Sequence, residues 1–234
     1  MVAAYVEEER VAFNRKVGLT DVGAPNPPVP EGEATGVVPC SVRPADAEAC
    51  ASFLRSEWKD GMLSLPDGRR ALGYASYEKT LDAHDAGLQS AHTLLLTHAL
   101  LPSVRAHVPG FQEMEATLAS WLHERFGSVV ELFYCHGLRQ SPHTLKSTGF
   151  DVHQDTEDFD FIEYTVVVKL TADVEGEPPS QMRVVGCERH FDYGPAAGSS
   201  GLFRARLFHA SVAPRSEREH LKLAFFFRES APPL

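Results

Sequence analysis

Apolar residues recur at two different periods along this chain. Between residues 44 and 127 they fall at helical spacing. In RPADAEACASFLRSEW, Ala47, Cys50, Ala51, Leu54 and Trp58 share one face of an expected helix. PDG at 66–68 marks a turn. From about Glu78 to Phe126 the pattern again predicts helix. Leu94, Leu95, His98 and Leu101 form one stripe; Phe111, Met114, Leu118, Trp121, Leu122 and Phe126 form another, after a break at Pro109-Gly110. Core packing accounts for these stripes. At Val129 the texture changes. VVELFYCHGL, FIEYTVVVKL, MRVVGCERHF, SGLFRARLF and HLKLAFFF are short runs rich in β-branched and aromatic residues, separated by EGEPPS and GPAAGSS. Helices followed by strands predict an α+β fold, a sheet sandwich or barrel backed by helices. Residues 1–40, with a Pro- and Gly-rich stretch over 21–40, read as an extended or mobile lead-in. Residues 41–234 read as one domain, with helices over about 44–127 and the β part over about 129–230.

Composition narrows the functional classes. A hydrophobic fraction of 43% in 234 residues supports a real core. The formal net charge of −10 argues against nucleic-acid binding, which needs clustered Lys and Arg. Cys40, Cys50, Cys135 and Cys187 form no Cys-x-x-Cys pair, so free thiols are expected. The start MVAAYVEEERVAF lacks the basic and apolar regions of a signal peptide. HTLLLTHALL is too short to span a membrane. The expectation is a cytoplasmic protein with no membrane or nucleic-acid partner; nothing in the sequence points to an oligomeric state.

The candidate chemistry rests on three residues. His153 and Asp155 in VHQDTED are two positions apart, so on extended backbone both side chains reach one face. His209 in LFHASVAP, at the end of the expected LFRARLF strand, can supply a third ligand from across a barrel. Two imidazoles and a carboxylate suit a mid-series divalent ion and leave adjacent coordination positions open. With eleven histidines in the chain, a surface ion pair at His153 and a satisfied core histidine at His209 are the alternatives.

The segment from about Val129 to Arg228 resembles the Fe(II)/2-oxoglutarate-dependent dioxygenases, especially their prolyl-4-hydroxylase-like branch. HQDTEDFDFIEYTVVVKLTADVEGEPPSQMRV is similar to that branch's His-x-Asp segment, strand and acidic turn; HFDYGPAAGSSGLFRARLFHASVAP is similar to the strand leading to its distal His. The resemblance implies a double-stranded β-helix, or jelly-roll. It implies Fe(II) held by a facial triad of His153, Asp155 and His209, with 2-oxoglutarate and O2 as co-substrates.

Such enzymes hold the far carboxylate of 2-oxoglutarate with a cation beyond the distal His. Arg215, Arg218, Lys222 and Arg228 are the candidates here, with His220 a weaker one. Lys222 is favoured because it interrupts the apolar strand HLKLAFFF, where a cation must face solvent or find an anion. Arg218 is second, since Arg grips a carboxylate bidentately. Tyr134 stands where the family often places a hydroxyl that orients 2-oxoglutarate. His136, Arg139, Gln140, His143 and Lys146 could face the pocket, and the polar loop CHGLRQSPHTLKSTGFD reads as a substrate lid.

By this resemblance, oxidative decarboxylation to succinate and CO2 drives oxidation of a substrate C–H bond. Related halogenases lack the carboxylate, so Asp155 argues for hydroxylation, desaturation or oxidative cyclisation. The expected substrate is a small molecule such as an amino acid or specialised metabolite. Three alternatives stay open: a prolyl-hydroxylase-like enzyme acting on a peptide, a triad metalloenzyme that does not use 2-oxoglutarate, and a non-catalytic jelly-roll binding module.

Overall fold

The structure, a computed structural model, describes residues 36–59, 61–74, 93–140, 153–156, 160–177, 179–185, 190–212 and 218–230. Three helices are present among them: α1 (Pro44–Glu57), α2 (Leu101–His107) and α3 (Phe111–Phe126). Pro44 opens α1, where a missing backbone N–H costs nothing. Gly127, at a left-handed φ of 69°, ends α3 and donates its N–H to His123 O.

Strands form two layers. The larger sheet has the order β1-β10-β7-β12-β6-β5-β4-β3-β2, comprising β1 (Val38–Ser41), β2 (Trp58–Lys59), β3 (Met62–Ser64), β4 (Arg70–Tyr74), β5 (Thr93–Leu96), β6 (Val130–Gln140), β7 (Ile162–Lys169), β10 (Ser199–Arg204) and β12 (His220–Glu229). The smaller sheet has the order β11-β8-β9, from β8 (Gln181–Val184), β9 (Phe191–Asp192) and β11 (His209–Val212). An isolated antiparallel bridge joins His153 to His209 at the free side of β11. From β6 onward the chain passes repeatedly between the layers. Neighbours such as β10 and β7, β12 and β6, and β11 and β8 are therefore distant in sequence, as in a jelly-roll of α+β class, while β2 to β5 extend the large sheet as consecutive strands.

Side-chain alternation divides the core in two. Tyr164, Val166 and Val168 of β7 and Leu221, Leu223, Phe225 and Phe227 of β12 pack with the helices, Phe111 of α3 lying 5.3 Å from Phe225 between ring centres. The opposite faces carry Tyr134, Leu138, Val167, Ala224 and Phe226, which pack between the layers with Met182, Val184, Tyr193 and Phe203. Helices cover one face of the large sheet, and the small sheet covers the other.

Two expectations change. Leu94 and Leu95 belong to strand β5 and not to a helix; a short apolar run has no period of its own, and pairing with β6 decides it. The β structure also begins earlier than Val129. Val38–Ser41 pairs with β10, and β2 to β5 extend the large sheet past β6. Residues 1–35 of the expected 1–40 lead-in, the helical stretch over 78–92, the candidate Arg215 and the lid residues His143 and Lys146 lie outside the described residues.

Candidate active site

His153, Asp155 and His209 converge, with one potential ligand atom from each lying within 4.8 Å of the others. The backbone does the positioning. His153 and His209 exchange N–H···O bonds of 3.0 Å in both directions, and Asp155 N–H donates to Ala205 O at 2.8 Å. The Gln154 side chain, pointing the other way, donates to Arg206 O. His209 opens β11 after a turn at 205–206, where the sequence suggested that it closes the preceding strand. The turn brings it beside His153, 4.5 Å away between ring centres.

Side-chain geometry leaves the metal-binding atoms inward. Asp155 Oδ1 lies 3.4 Å from His153 Nε2, and Oδ2 lies 3.8 Å from His209 Nε2. Leu207 O sits 2.9 Å from His209 Nδ1, which suits an Nδ1–H donor and leaves Nε2 free to ligate. The Phe203 ring packs 4.5 Å from the His209 ring. Burial favours neutral imidazole and holds His209 down at about 4, despite the attraction of Asp155. Burial alone would raise the Asp155 carboxyl, but the neighbouring His209 and His153 bring it down to about 2. Asp155 Oδ2 is buried and accepts no hydrogen bond among the described residues. An anionic carboxylate with an orphaned oxygen, between two imidazoles, is the donor set that a divalent metal fits.

A second orphan lies deeper between the layers. Lys222 is 1% exposed, and its Nζ has no hydrogen-bond partner among the described residues. Its strand is central, flanked by β6 and β7, so the alternative of an edge-strand lysine in solvent does not apply. Alternation points it inward with Ala224 and Phe226. Burial pushes its ammonium down to about 8, with Lys169 adding to the fall and Asp173 opposing it. Nζ lies 5.0 Å from the Tyr193 ring centre, and the Asp155 charge in turn acts on Tyr193. Tyr193 and the Phe203 ring that packs on His209 belong to the same interlayer cluster.

Other candidates separate by position. Tyr134 faces the same interior, stacked on Phe226 with ring centres 4.2 Å apart, and His136 is beside it. Arg218 is exposed, lining a pocket of about 210 Å³ with α1 residues Glu48, Ala51 and Arg55, on the helix side. Arg228 is ion-paired with Glu131 at the far end of β12. Arg139 faces outward: it covers the Trp58 ring at 4.4 Å, donates to Trp58 O and pairs with Glu219 at 3.0 Å. Sequence reasoning missed Lys169 and Tyr193; the polar break of Lys169 in the apolar run YTVVVKL was the available signal.

No protein-family model matches this chain, and no curated protein matches it either. Solved structures do. A viral collagen prolyl hydroxylase from Paramecium bursaria Chlorella virus-1 aligns with a TM-score of 0.54 at 12% identity, covering 89% of this chain and 96% of that one. A prolyl-4-hydroxylase from Pseudomonas putida aligns at 0.52 and 17% identity, covering 83% and 94%. SnoK, a non-haem α-ketoglutarate-dependent carbocyclase from nogalamycin biosynthesis, aligns at 0.53 and 12% identity, covering 84% and 80%. The class defined by these neighbours is the jelly-roll fold of prolyl hydroxylases and 2-oxoglutarate oxygenases. At such identities the likeness is one of fold. The described residues contain no helix long and apolar enough to cross a membrane.

Proposed function

We propose that this protein is a non-haem Fe(II)- and 2-oxoglutarate-dependent oxygenase that oxidises a C–H bond of a small molecule. One observation carries the reading: a metal-type His-Asp-His group and a buried lysine without a partner among the described residues border the same interlayer cluster, His209 packing on Phe203 and Lys222 on Tyr193. A buried ammonium without an anion is costly, and a co-substrate carboxylate removes that cost.

In this reading His153, Asp155 and His209 hold the iron, and Lys222 takes the far carboxylate of 2-oxoglutarate. Bound iron and 2-oxoglutarate would supply the activation of O2, with release of succinate and CO2. The chain's own part is positional. Leu207 O orients His209, the backbone bridge fixes His153, and Asp155 stays ionised to neutralise metal charge. Tyr134, Phe226 and Val167 keep the interior apolar and exclude water. The small-molecule preference draws on the carbocyclase SnoK among the fold neighbours; the prolyl hydroxylases there keep a peptide substrate as the competing outcome.

The test is anaerobic reconstitution with Fe(II), then addition of 2-oxoglutarate and air, with succinate measured. Expected is one bound metal per chain and succinate formation that is lost in D155A and K222M. Bound metal with activity independent of 2-oxoglutarate would identify another triad metalloenzyme. Absence of stoichiometric metal would leave a binding module. Incubation with metabolite pools and with proline-containing peptides separates the two substrate classes.

A further inference from the structure

Lys169 stands directly across the β7–β12 pair from Lys222, and both are 1% exposed. Like charges facing each other across a strand pair repel, so this arrangement needs an explanation. The two amines have opposite surroundings. Lys169 Nζ lies 2.7 Å from Asp173 Oδ2 and donates to Gly194 O at 2.6 Å. Lys222 Nζ has neither kind of partner among the described residues.

Asp173 is the only carboxylate whose charge acts directly on Lys222 among the described residues, yet it does not pair with it. It is held elsewhere. Oδ2 takes Lys169 and, at 3.3 Å, Ser180 N–H, while the Asp173 backbone N–H donates to Pro195 O at 2.8 Å. Oδ1 is buried without a hydrogen-bond partner among the described residues. Glu177 acts on the neighbouring His220 and not on Lys222. Asp192 also acts on Lys169. Among the described residues no carboxylate pairs with Lys222, and that is the place one incoming carboxylate fills.

We infer that Lys169 is a positioning residue that detains Asp173 at the Gly194–Ser180 side, so that Lys222 stays available to the carboxylate of an incoming co-substrate. This rests on the assignment of Lys222 to 2-oxoglutarate made above. Without Lys169, the unpaired Asp173 would turn to Lys222, the cation across the strand pair, and the pocket would close on an internal salt bridge. Asp173 would then compete with 2-oxoglutarate for one ammonium.

Calorimetric titration of 2-oxoglutarate into the Mn(II)-loaded protein tests this without turnover, with thermal melts to establish that each variant is folded. K169M should weaken binding by about tenfold or more, the ordinary effect of losing one member of a buried charge pair. The decisive variant is K169M/D173N. It lacks both the clamp and the competing carboxylate, and should recover to within about threefold of the unmodified protein. D173N alone should bind as well or a few-fold more tightly. Should K169M fail to fold, D173N and the double variant still decide the matter. Unchanged binding in K169M, no recovery in the double variant, or a tenfold loss in D173N overturns the inference. K222M separates the two levels: unchanged affinity there overturns the assignment of Lys222 itself, whereas loss in K222M with unchanged K169M overturns only the role of Lys169.

Discussion

Replacing Lys222 with Met should make the metal-free protein more stable while abolishing co-substrate binding. The fall of the Lys222 ammonium from 10.5 to about 8 on folding corresponds to a penalty of about 3 kcal/mol for holding the charge in the interior. The sign follows from linkage. The folded value lies below the unfolded one, so the penalty is fully present below pH 8 and fades as pH rises from 8 to 10.5. Met has a similar reach and no charge, so it fills the space beside Ala224 and Phe226 without the penalty. For a chain of this size, about 3 kcal/mol is roughly 6–12 °C in Tm at pH 7. Thermal melts of both proteins between pH 6.5 and 10.5 measure the gap, which should narrow above pH 8. Calorimetry with 2-oxoglutarate should show at least a thirtyfold loss in K222M, on the order of 2 kcal/mol or more. A less stable K222M at pH 7, or a gap indifferent to pH, would refute the reasoning, since it would mean that Lys222 already has an anion.

The triad makes a separate demand. Mn(II) at a hundredfold excess over its Kd should stabilise the protein by about 2.7 kcal/mol, read as a rise in Tm, and D155A should show no rise. His209, held at about 4 by burial, is neutral in the fold; the metal-free protein should therefore lose stability as pH falls from 6.5 towards 4. Urea titrations should show that loss reduced in H209Q. R139A should lower stability by disturbing Trp58 and Glu219 while leaving 2-oxoglutarate affinity intact, because that side chain lies outside the interior. Gly198 has a φ of +83°, and an added Cβ would lie 2.5 Å from Val42 O; G198A should cost about 2 kcal/mol or more by denaturant titration.

The strands from β6 onward were legible in the sequence because β-branched and aromatic residues cluster there between Gly- and Pro-rich breaks. The nearness of His153 and Asp155 was legible too, since residues two apart need little to converge, whereas the long-range bridge to His209 brought in the third member of the group. Leu94 and Leu95 were not legible, because an isolated run of three apolar residues fits a helix or a strand equally well until β6 pairs with it. Composition and local spacing by themselves determined that this is an α+β chain with a metal-type ligand set followed by a basic residue in an apolar strand. Register decided the rest. It turned Lys222 inward and Arg139 outward, although both lie in well-marked strands, because one step along a strand reverses the face. Only the tertiary structure set Lys169 against Lys222 and gave Asp173 to one of them; that contest crosses a sheet, and no spacing within a single segment encodes it.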